Sequence, residues 1–317
     1  MSLKQSTNSL IMIRPAHFCF NTETAVSNGF QNVDYTNSQV QQQALKEFDE
    51  MVDELRSENI HVNVFDDTSE PIKPDAIFPN NWFTTHPNGT IILYPMLAIN
   101  RRLERRTDIF ESLAENFQVK NLIDLSSYEQ TNEFLEGTGS MVFDHLNKRI
   151  FAVRSTRTNE KIVRHVAELL NYKSPPILFD SCDDKHQPIY HTNVMMSIGT
   201  FIAIICLESI VNHEQRNEII KLLENNQQRK LINITLEQMK NFAGNMLEII
   251  TGQDESIYVM SKTAYQCLTV EQRNIFEQAN IRLRFFDTTT IEQCGGGSVR
   301  CMIAENFLPR YPSNGNV

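Results

Sequence analysis

Apolar residues recur in short alternating runs along the chain, and most of these runs come in pairs. The runs are IMIRPAHFCF, AIFPNNWFTTH with TIILYPM, SMVFDHLNKRIFAV, NVMMSIGTFIAIICL, MLEIITGQDESIYVM and VRCMIAENF. Alternation of this kind predicts β-strands. Turn-forming residues at 86–89, 144–147 and 252–255 separate the members of three pairs, so we predict β-hairpins there.

A spacing typical of helices lies between the paired runs. In SQVQQQALKEFDEMVDEL one apolar stripe contains Val40, Ala44, Phe48, Met51, Val52 and Leu55. Further helices are predicted near residues 101–117, 158–171, 211–226 and 270–279. A short apolar run follows each helix: HVNVF, NLIDL, PILFD, LINIT or RLRFF. The chain therefore repeats a unit of hairpin, helix and strand.

Five segments of small and polar residues mark this repeat, each directly before an apolar strand. We call them the lead-in segments: FPNNWFTT, EGTGSMVF, YHTNVMMS, FAGNMLEI and GGGSVRCM, which recur at intervals of roughly 52 to 58 residues. Five units closed into a ring would bring these segments to one axis. We predict an α/β fold, a five-bladed pseudo-symmetric α/β propeller formed by a single domain over residues 1–317. Ordinary turns that use Gly and Asn are the alternative explanation.

Three reactive side chains lie in these segments. Glu136 is in the second, His191 in the third and Cys301 in the fifth. Together they supply a carboxylate that orients an imidazole, a proton carrier and a nucleophile. Each alone is better explained as a core or turn residue, but the set predicts a catalytic site. Cys294, on the other side of three glycines, is the alternative nucleophile.

The thiolate is the reactive form of cysteine, so a catalytic Cys301 needs neighbours that favour ionisation. A protonated His191 or the backbone N–H groups of Gly295, Gly296 and Gly297 could supply this. The three glycines do not form a phosphate-binding loop, because no Lys follows them. The polar loop near residues 21–36 is either a cover for the site or a plain connection.

Composition argues against several classes of function. The formal net charge of −10 disfavours a nucleic-acid groove. The run Arg101, Arg102, Arg105 and Arg106, interrupted by Glu104, predicts a solvated helix face. No stretch approaches the roughly 18 to 20 apolar residues of a membrane span, and the start MSLKQSTNS lacks a secretory pattern, so we expect a cytoplasmic protein. Six cysteines without C-x-x-C pairs suggest free thiols, with no zinc site.

Seven motifs resemble the guanidine-modifying superfamily, the pentein fold of arginine deiminases, dimethylarginine hydrolases, amidinotransferases and citrulline-utilisation hydrolases. They are MIRPAHFCFNTETA, DAIFPNNWFTTH, EGTGS, RTN at 157–159, HTNV, AGNMLEI and GGGSVRCM. The resemblance covers nearly the full chain and is closest to the citrulline-utilisation hydrolases. It implies that Cys301 is the nucleophile and His191 the general acid and base, while Glu136 orients His191 or contacts substrate.

The same resemblance implies a substrate-binding set of Asp75, Asn81, Arg157, Asn193 and Asn245. Asp75 matches an acidic position that contacts the guanidino group of the substrate. Arg157 would hold a substrate carboxylate through parallel hydrogen bonds, although a surface Arg at the start of a helix would have the same sequence.

Three departures from the family pattern concern the substrate. Where deiminases resemble F-x-R-D this chain has Phe78-Pro79-Asn80-Asn81, and Asn193 and Ser140 stand where many relatives carry Asp. These changes remove negative charge from a pocket that would hold a guanidinium. An amide can instead donate to and accept from a neutral urea-like group. We therefore predict a ureido substrate such as citrulline, with arginine or a methylated arginine as the alternative.

The predicted reaction is hydrolysis of a C–N bond through a covalent adduct on Cys301, with no metal or organic cofactor. The partner is a small guanidino or ureido amino acid, and a homo-oligomer is possible. An amidinotransferase would run the same first half and pass the group to an amine. A non-catalytic propeller that binds a macromolecule is the alternative of another class, but a scaffold has no need of Cys, His and Glu on its axis.

Overall fold

The computed structural model of the chain describes residues 4–32, 39–225 and 228–312. Within these ranges the strands are β1 (Ser9–Arg14), β2 (His61–Asp66), β3 (Phe83–Thr85), β4 (Thr90–Leu93), β5 (Asn121–Asp124), β6 (Val142–Asp144), β7 (Arg149–Val153), β8 (Ile177–Phe179), β9 (Met196–Ile198), β10 (Ile202–Ile205), β11 (Lys230–Asn233), β12 (Leu247–Ile250), β13 (Ser256–Ser261), β14 (Arg282–Phe286) and β15 (Ala304–Glu305). The helices are α1 (Thr22–Ala25), α2 (Val40–Ser57), α3 (Ile99–Arg102), α4 (Thr107–Asn116), α5 (Gly137–Ser140), α6 (Glu160–Leu169), α7 (Thr192–Met195), α8 (His213–Glu224), α9 (Leu236–Lys240), α10 (Lys262–Cys267), α11 (Val270–Gln278) and α12 (Thr289–Gly295).

The strands form five three-stranded sheets in the described residues, and all five have the same internal order. In each sheet the middle strand pairs antiparallel with one neighbour and parallel with the other. One or more helices connect the two parallel strands. Four sheets use consecutive strands. The remaining one joins distant parts of the chain, with β15 antiparallel to β1 so that Leu10 lies opposite Glu305. The predicted α/β fold of repeated hairpin, helix and strand units is confirmed.

The longest helix follows the predicted stripe. Its six apolar positions, from Val40 to Leu55, are buried in one hydrophobic cluster with strands of the first and last sheets. Side-chain caps start other helices, because the Asn159 side chain accepts from Lys161 N at the start of α6 and Thr269 forms a capping box with Gln272 at the start of α11.

Two parts of the secondary-structure prediction are wrong. The single helix predicted over 101–117 is divided into α3 and α4, because the chain turns at residues 103–106 and carries Arg101 into the interior. The strands predicted to include Ser140 and residues 193–195 begin later, since the second and third lead-in segments first form the one-turn helices α5 and α7. Helix α12 was also not predicted.

The five lead-in segments contact one another in a closed cycle. The hydrogen bonds that make the cycle join Asn80 to Thr138, Ser140 to Thr192, Asn193 to Asn245, Asn245 to Arg300, and Thr85 to Phe307, with lengths of 2.6 to 3.2 Å. Phe307 follows the fifth segment by five residues. The fifth segment itself also meets the first, since Gly295 and Gly297 lie close against the Phe78 ring. Polar residues from all five segments are thereby brought to one place.

Glycine is required at two positions of the second segment. Gly137 has φ +43°, a left-handed conformation that disfavours other residues, and a Cβ there would lie 2.3 Å from the carbonyl oxygen of Asn80. A Cβ on Gly139 would lie 2.8 Å from the His191 ring. The two glycines allow the first, second and third segments to approach each other closely.

None of the helices in the described ranges is long and apolar enough to cross a membrane.

A buried ion pair joins the repeated units that follow the second and third lead-in segments. Arg229, next to β11, donates to both carboxylate oxygens of Asp144 at 3.0 and 3.2 Å, and to the carbonyl oxygen of Gly199 at 2.9 Å.

We expect Asp144→Ala to lower the free energy of unfolding by about 3–5 kcal/mol, because it leaves a buried guanidinium unpaired. Urea denaturation measures this. Asp184→Ala, which removes the exposed pair with Lys240, is the control and should leave the urea midpoint unchanged; equal effects of the two variants would contradict the expectation.

Candidate active site

A small cavity of about 20 Å³ lies where the lead-in segments meet. Five of the predicted site residues line it: Asp75, Asn81, Arg157, His191 and Cys301. The other three lie directly behind, since Glu136 contacts His191 while Asn193 and Asn245 contact Cys301. The structure therefore brings all eight residues together.

Glu136 is fully buried and has two charged or chargeable partners. Its Oε2 lies 2.9 Å from His191 Nε2 and 3.2 Å from Arg157 Nη1, and its Oε1 accepts from the backbone N–H of Leu97 at 3.1 Å. Burial opposes ionisation, but Arg157, His191 and Arg101 outweigh it and hold the pKa of Glu136 below its ordinary range. Glu136 is therefore an ionised carboxylate at neutral pH.

His191 is neutral in the unliganded site. Burial lowers its pKa to about 4, because the attraction of Glu136 does not offset burial together with the repulsion of Arg157 and Arg101. An ionised Glu136 requires a proton on Nε2, and the neutral ring then has Nδ1 as its basic nitrogen. His191 can accept a proton at Nδ1 and form an imidazolium that Glu136 stabilises.

Short turns position these two side chains. Glu136 and His191 immediately precede α5 and α7, and the Thr192 hydroxyl donates to the Ser140 carbonyl oxygen at 2.6 Å. The two turns are thus fastened to each other. Glu136 meets His191 because equivalent positions of neighbouring units are held together.

Cys301 lies in a turn before β15, and its side chain is surrounded by two amides. Asn245 Nδ2 is 3.3 Å and Asn193 Nδ2 is 3.7 Å from Sγ. Hydrogen bonds donated to sulfur favour the thiolate. The sequence suggests a protonated His191 or the backbone of the three glycines for this role, but the N–H of Gly296 donates instead to the carbonyl oxygen of Glu292 at 2.9 Å. Side-chain amides supply the donors that the structure shows at the sulfur.

Cys294 has a different environment. It is completely buried in a hydrophobic cluster, and burial, with smaller effects of Cys19 and Asp75, raises the pKa of its thiol to about 12. Cys301 lines the cavity and Cys294 does not. Accessibility favours Cys301 as the reactive thiol, and the raised pKa of Cys294 disfavours that residue.

Asp75 has one oxygen occupied and one without a protein partner. Oδ2 accepts from Asn21 Nδ2 at 2.7 Å and from the Thr24 hydroxyl at 3.1 Å, and lies 3.8 Å from Arg101 Nε, whereas Oδ1 is buried and unpaired. Burial raises the pKa of Asp75 despite the opposing effect of Arg101. Oδ1 is thus an acceptor in a residue that lines the cavity.

Arg101 was not predicted to belong to the site, and its assignment to a solvated helix face is wrong. It is 3% exposed, forms a two-pronged pair with Glu104 at 2.8 and 2.9 Å, and donates to Asn81 Oδ1 at 2.8 Å. Burial raises the pKa of Glu104 to about 7 against the attraction of Arg101. Only the Arg-to-Glu spacing of three could have indicated the pair, and that spacing is common on exposed helices.

Arg157 is buried, so its interpretation as a surface residue is wrong. Besides Glu136 it donates to the Ser27 hydroxyl at 2.7 Å and to the Thr24 carbonyl oxygen at 3.2 Å, and its guanidinium lies 4.8 Å from the centre of the Tyr190 ring. A contact with a substrate carboxylate remains a prediction. A substrate carboxylate would replace one of the hydrogen bonds that Arg157 now makes. The bonds to Ser27 and Thr24 are made to the segment that borders the cavity.

Residues 21–32 of the predicted loop cover one side of the cavity. Helix α1 lies in this segment, Asn28 Nδ2 is 3.3 Å from the carbonyl oxygen of Gly295, and Gln31 Nε2 is 3.3 Å from that of Cys294. Residues 33–36 lie outside the described residues. The sequence gives no repeat signal here, so the roles of Asn21 and Thr24 were not predicted.

Among the described residues, no group of three or more His, Cys, Asp or Glu side chains could hold a metal ion. The six cysteines are all free thiols.

Several solved structures resemble this chain in fold. The arginine dihydrolase ArgZ from cyanobacteria superposes with a TM-score of 0.72 at 15% identity, over 96% of this chain and 41% of that one. AgrE, solved as a variant with L-arginine, gives 0.73 at 14% identity over 96% and 41%. DDAH from Pseudomonas aeruginosa, solved with citrulline, gives 0.64 at 14% over 98% and 100%. This chain therefore spans about two fifths of ArgZ and AgrE, and it covers 99% of the separate ArgZ N-terminal domain.

No curated protein matches the chain. The model of one protein family, described as N,N dimethylarginine dimethylhydrolase, eukaryotic, matches residues 14–308. The structural likenesses confirm the predicted pentein fold, and the family match confirms the predicted superfamily. This chain belongs to the eukaryotic N,N-dimethylarginine dimethylhydrolase family of the pentein superfamily.

Proposed function

We propose that this chain is a cysteine-dependent hydrolase, formed by one catalytic domain over residues 1–317, that acts on the ureido carbon of citrulline. One observation carries the choice of substrate. Asn81 Nδ2 is a buried donor and Asp75 Oδ1 is a buried acceptor. Neither atom has a hydrogen-bond partner among the described residues, and both residues line the cavity. A terminal ureido group offers one acceptor oxygen and one NH2 donor and can satisfy both. A guanidinium has only donors and would leave the Asn81 amide unpaired.

The first half of the reaction forms a covalent adduct. The thiol proton of Cys301 passes to Nδ1 of His191, and the sulfur forms a bond to the ureido carbon. The carbon–nitrogen bond then breaks, its electron pair goes to the departing nitrogen, and the His191 imidazolium protonates that nitrogen. Glu136 stabilises the imidazolium while it exists.

Water completes the reaction. It forms a bond to the carbon of the adduct and gives a proton to His191, and the carbon–sulfur bond breaks with its electron pair on sulfur. The proton returns to Cys301. The product of these two halves is a carbamic acid, and its remaining carbon–nitrogen bond breaks spontaneously, so that carbon dioxide leaves and the nitrogen takes the acid proton. Overall, citrulline and one water give ornithine, ammonia and carbon dioxide.

A second candidate substrate is arginine or an N-methylated arginine. Of the buried charges at the cavity, Glu104 pairs with Arg101 and Glu136 with Arg157, whereas Asp75 has only a distant contact with Arg101. A substrate guanidinium would supply the missing cation. The family match and the arginine named for ArgZ and AgrE support this candidate as well.

The Asn81→Asp variant distinguishes the two substrates. A carboxylate at 81 can still accept from Arg101 but cannot donate to a ureido oxygen, so we expect kcat/KM for citrulline to fall at least about tenfold and the ratio of arginine to citrulline turnover to rise. Assays of ornithine, citrulline and ammonia release measure both. Asn80→Asp, the same change one residue away, is the control. Equal responses of the two variants would contradict the role of Asn81, and preference of the wild type for arginine would favour the second candidate.

The pH dependence provides a separate test of the role of Asp75. Because the pKa of Asp75 is raised, its carboxylate becomes protonated at a higher pH than an ordinary Asp as acid is added. We therefore expect kcat/KM for a guanidinium substrate to rise with pH through this raised pKa, and citrulline, which can also bind a protonated carboxyl group, to lack that limb. Asp75→Asn should remove the limb for arginine. Parallel profiles for both substrates in the wild type would refute this assignment.

Thiol labelling tests the nucleophile. We expect chloroacetamidine to label the folded protein at Cys301 and to inactivate it, and Cys301→Ala to abolish turnover. Cys294→Ala, a matched change in a buried thiol, should keep both labelling and turnover. Peptide mass spectrometry locates the adduct. Turnover by Cys301→Ala would transfer the role to Cys294, and absence of labelling would favour a non-catalytic binding protein.

A further inference from the structure

A second cavity, which we call the rear chamber, lies behind the catalytic residues. It has a volume of about 30 Å³, and its lining includes Gln5, Asn193, Ser197, Arg300 and Glu305. Asn193 connects the two cavities, because the amide that reaches Cys301 Sγ belongs to a residue that also lines the chamber. Events in the chamber can therefore affect the nucleophile through one side chain.

Two polar atoms of chamber residues have no hydrogen-bond partner among the described residues. They are Asn193 Oδ1 and Ser197 Oγ, both buried, in residues that are 1% and 7% exposed. One is an acceptor without a donor and the other a hydroxyl without any partner, and no hydrogen bond joins the two. Buried groups of this kind are almost always satisfied, and where protein does not do so ordered water does.

Asn245, the other amide at the sulfur, shows what Asn193 lacks. Backbone groups fix the orientation of Asn245, since its Oδ1 accepts from Arg300 N at 3.1 Å and its Nδ2 donates to the Asn193 carbonyl oxygen at 3.0 Å. No group in the described part of the chain donates a hydrogen bond to Asn193 Oδ1. The orientation of the Asn193 amide thus depends on something other than the described protein atoms.

We propose that the rear chamber binds a water molecule that accepts a hydrogen bond from Ser197 and donates one to Asn193 Oδ1. A water needs two to four polar partners and occupies about 30 Å³, which the chamber provides. With Oδ1 held by water, the amide presents its N–H to Cys301. Ser197 is then a positioning residue that acts through water and Asn193 on the sulfur.

The orientation matters because the two ends of the amide have opposite effects on sulfur. An N–H directed at Sγ favours the thiolate, whereas the carbonyl oxygen in its place would disfavour it. Other charged or titratable groups line the two cavities. On the substrate side these are Asp75, Arg101, Arg157, Tyr190 and His191, with Glu136 behind them, and on the chamber side His145, Arg300 and Glu305. Substitution of Ser197 leaves these groups in place, so a change would report on the amide.

The test compares Ser197→Val, which removes the hydroxyl, with Ser197→Thr, which has nearly the same size and shape as Val and retains the hydroxyl. The rate of iodoacetamide alkylation is measured against pH. We expect Val to move the midpoint of this profile upward by about half a pH unit or more and to lower turnover several-fold, and Thr to behave as the wild type. A wild-type profile for Val, or equal shifts for Val and Thr, would overturn the proposal.

A crystal structure of the wild-type protein at a resolution that shows ordered water gives a second and independent test. Water density within hydrogen-bonding distance of both Ser197 Oγ and Asn193 Oδ1 is expected, and its absence would overturn the proposal even if the variants failed to fold. The proposal rests on the proposed function only in taking Cys301 as nucleophile. Alkylation needs no substrate, so failure to hydrolyse citrulline or arginine would count against the proposed function without affecting this result.

Discussion

The burial of one carboxylate imposes most of the order at the centre of this molecule. Glu136 has no exposed surface, and an ionised carboxylate in such a place needs cationic or hydrogen-bonding partners. His191 and Arg157 supply them from two further parts of the chain. Arg157 brings its own requirements, which Ser27 and Thr24 satisfy from the segment that covers the cavity. Thus His191, Arg157 and the covering segment are connected through the ion pairs and hydrogen bonds that stabilise one buried carboxylate.

Much of the architecture could be predicted because it depends on local patterns that recur. Alternation gave the hairpins, the stripe from Val40 to Leu55 gave α2, and the spacing of the lead-in segments indicated where polar side chains would meet. Glu136, His191 and Cys301 could be selected together because equivalent positions of a repeat come together when the repeat closes. This inference needs only the period and the residue types, both of which are visible in one sequence.

The features that could not be predicted depend on partners far away in sequence. Arg101 lies in a run of arginines that is indistinguishable from an exposed helix until Asn81 and Asp75 are placed beside it. Likewise, nothing local shows that Asn193 and Asn245 would supply donors to sulfur while the glycines, the more familiar candidates, use a backbone N–H within their own turn. The partners of side-chain amides and of buried ion pairs depend on which distant segments pack together, and a local sequence pattern does not contain that information.

The sheet that joins the two distant parts of the chain has a consequence for biosynthesis. Strand β15, which pairs with β1 near the start of the chain, follows Cys301 by only a few residues. A growing polypeptide on the ribosome can complete the other four sheets before this pairing exists. The strand that anchors the chain just after Cys301 therefore cannot pair before residue 304 has been synthesised, and a truncated translation product that ends before this residue would lack that anchor. The order of synthesis thus places the pairing next to this thiol after the chain of the other four sheets.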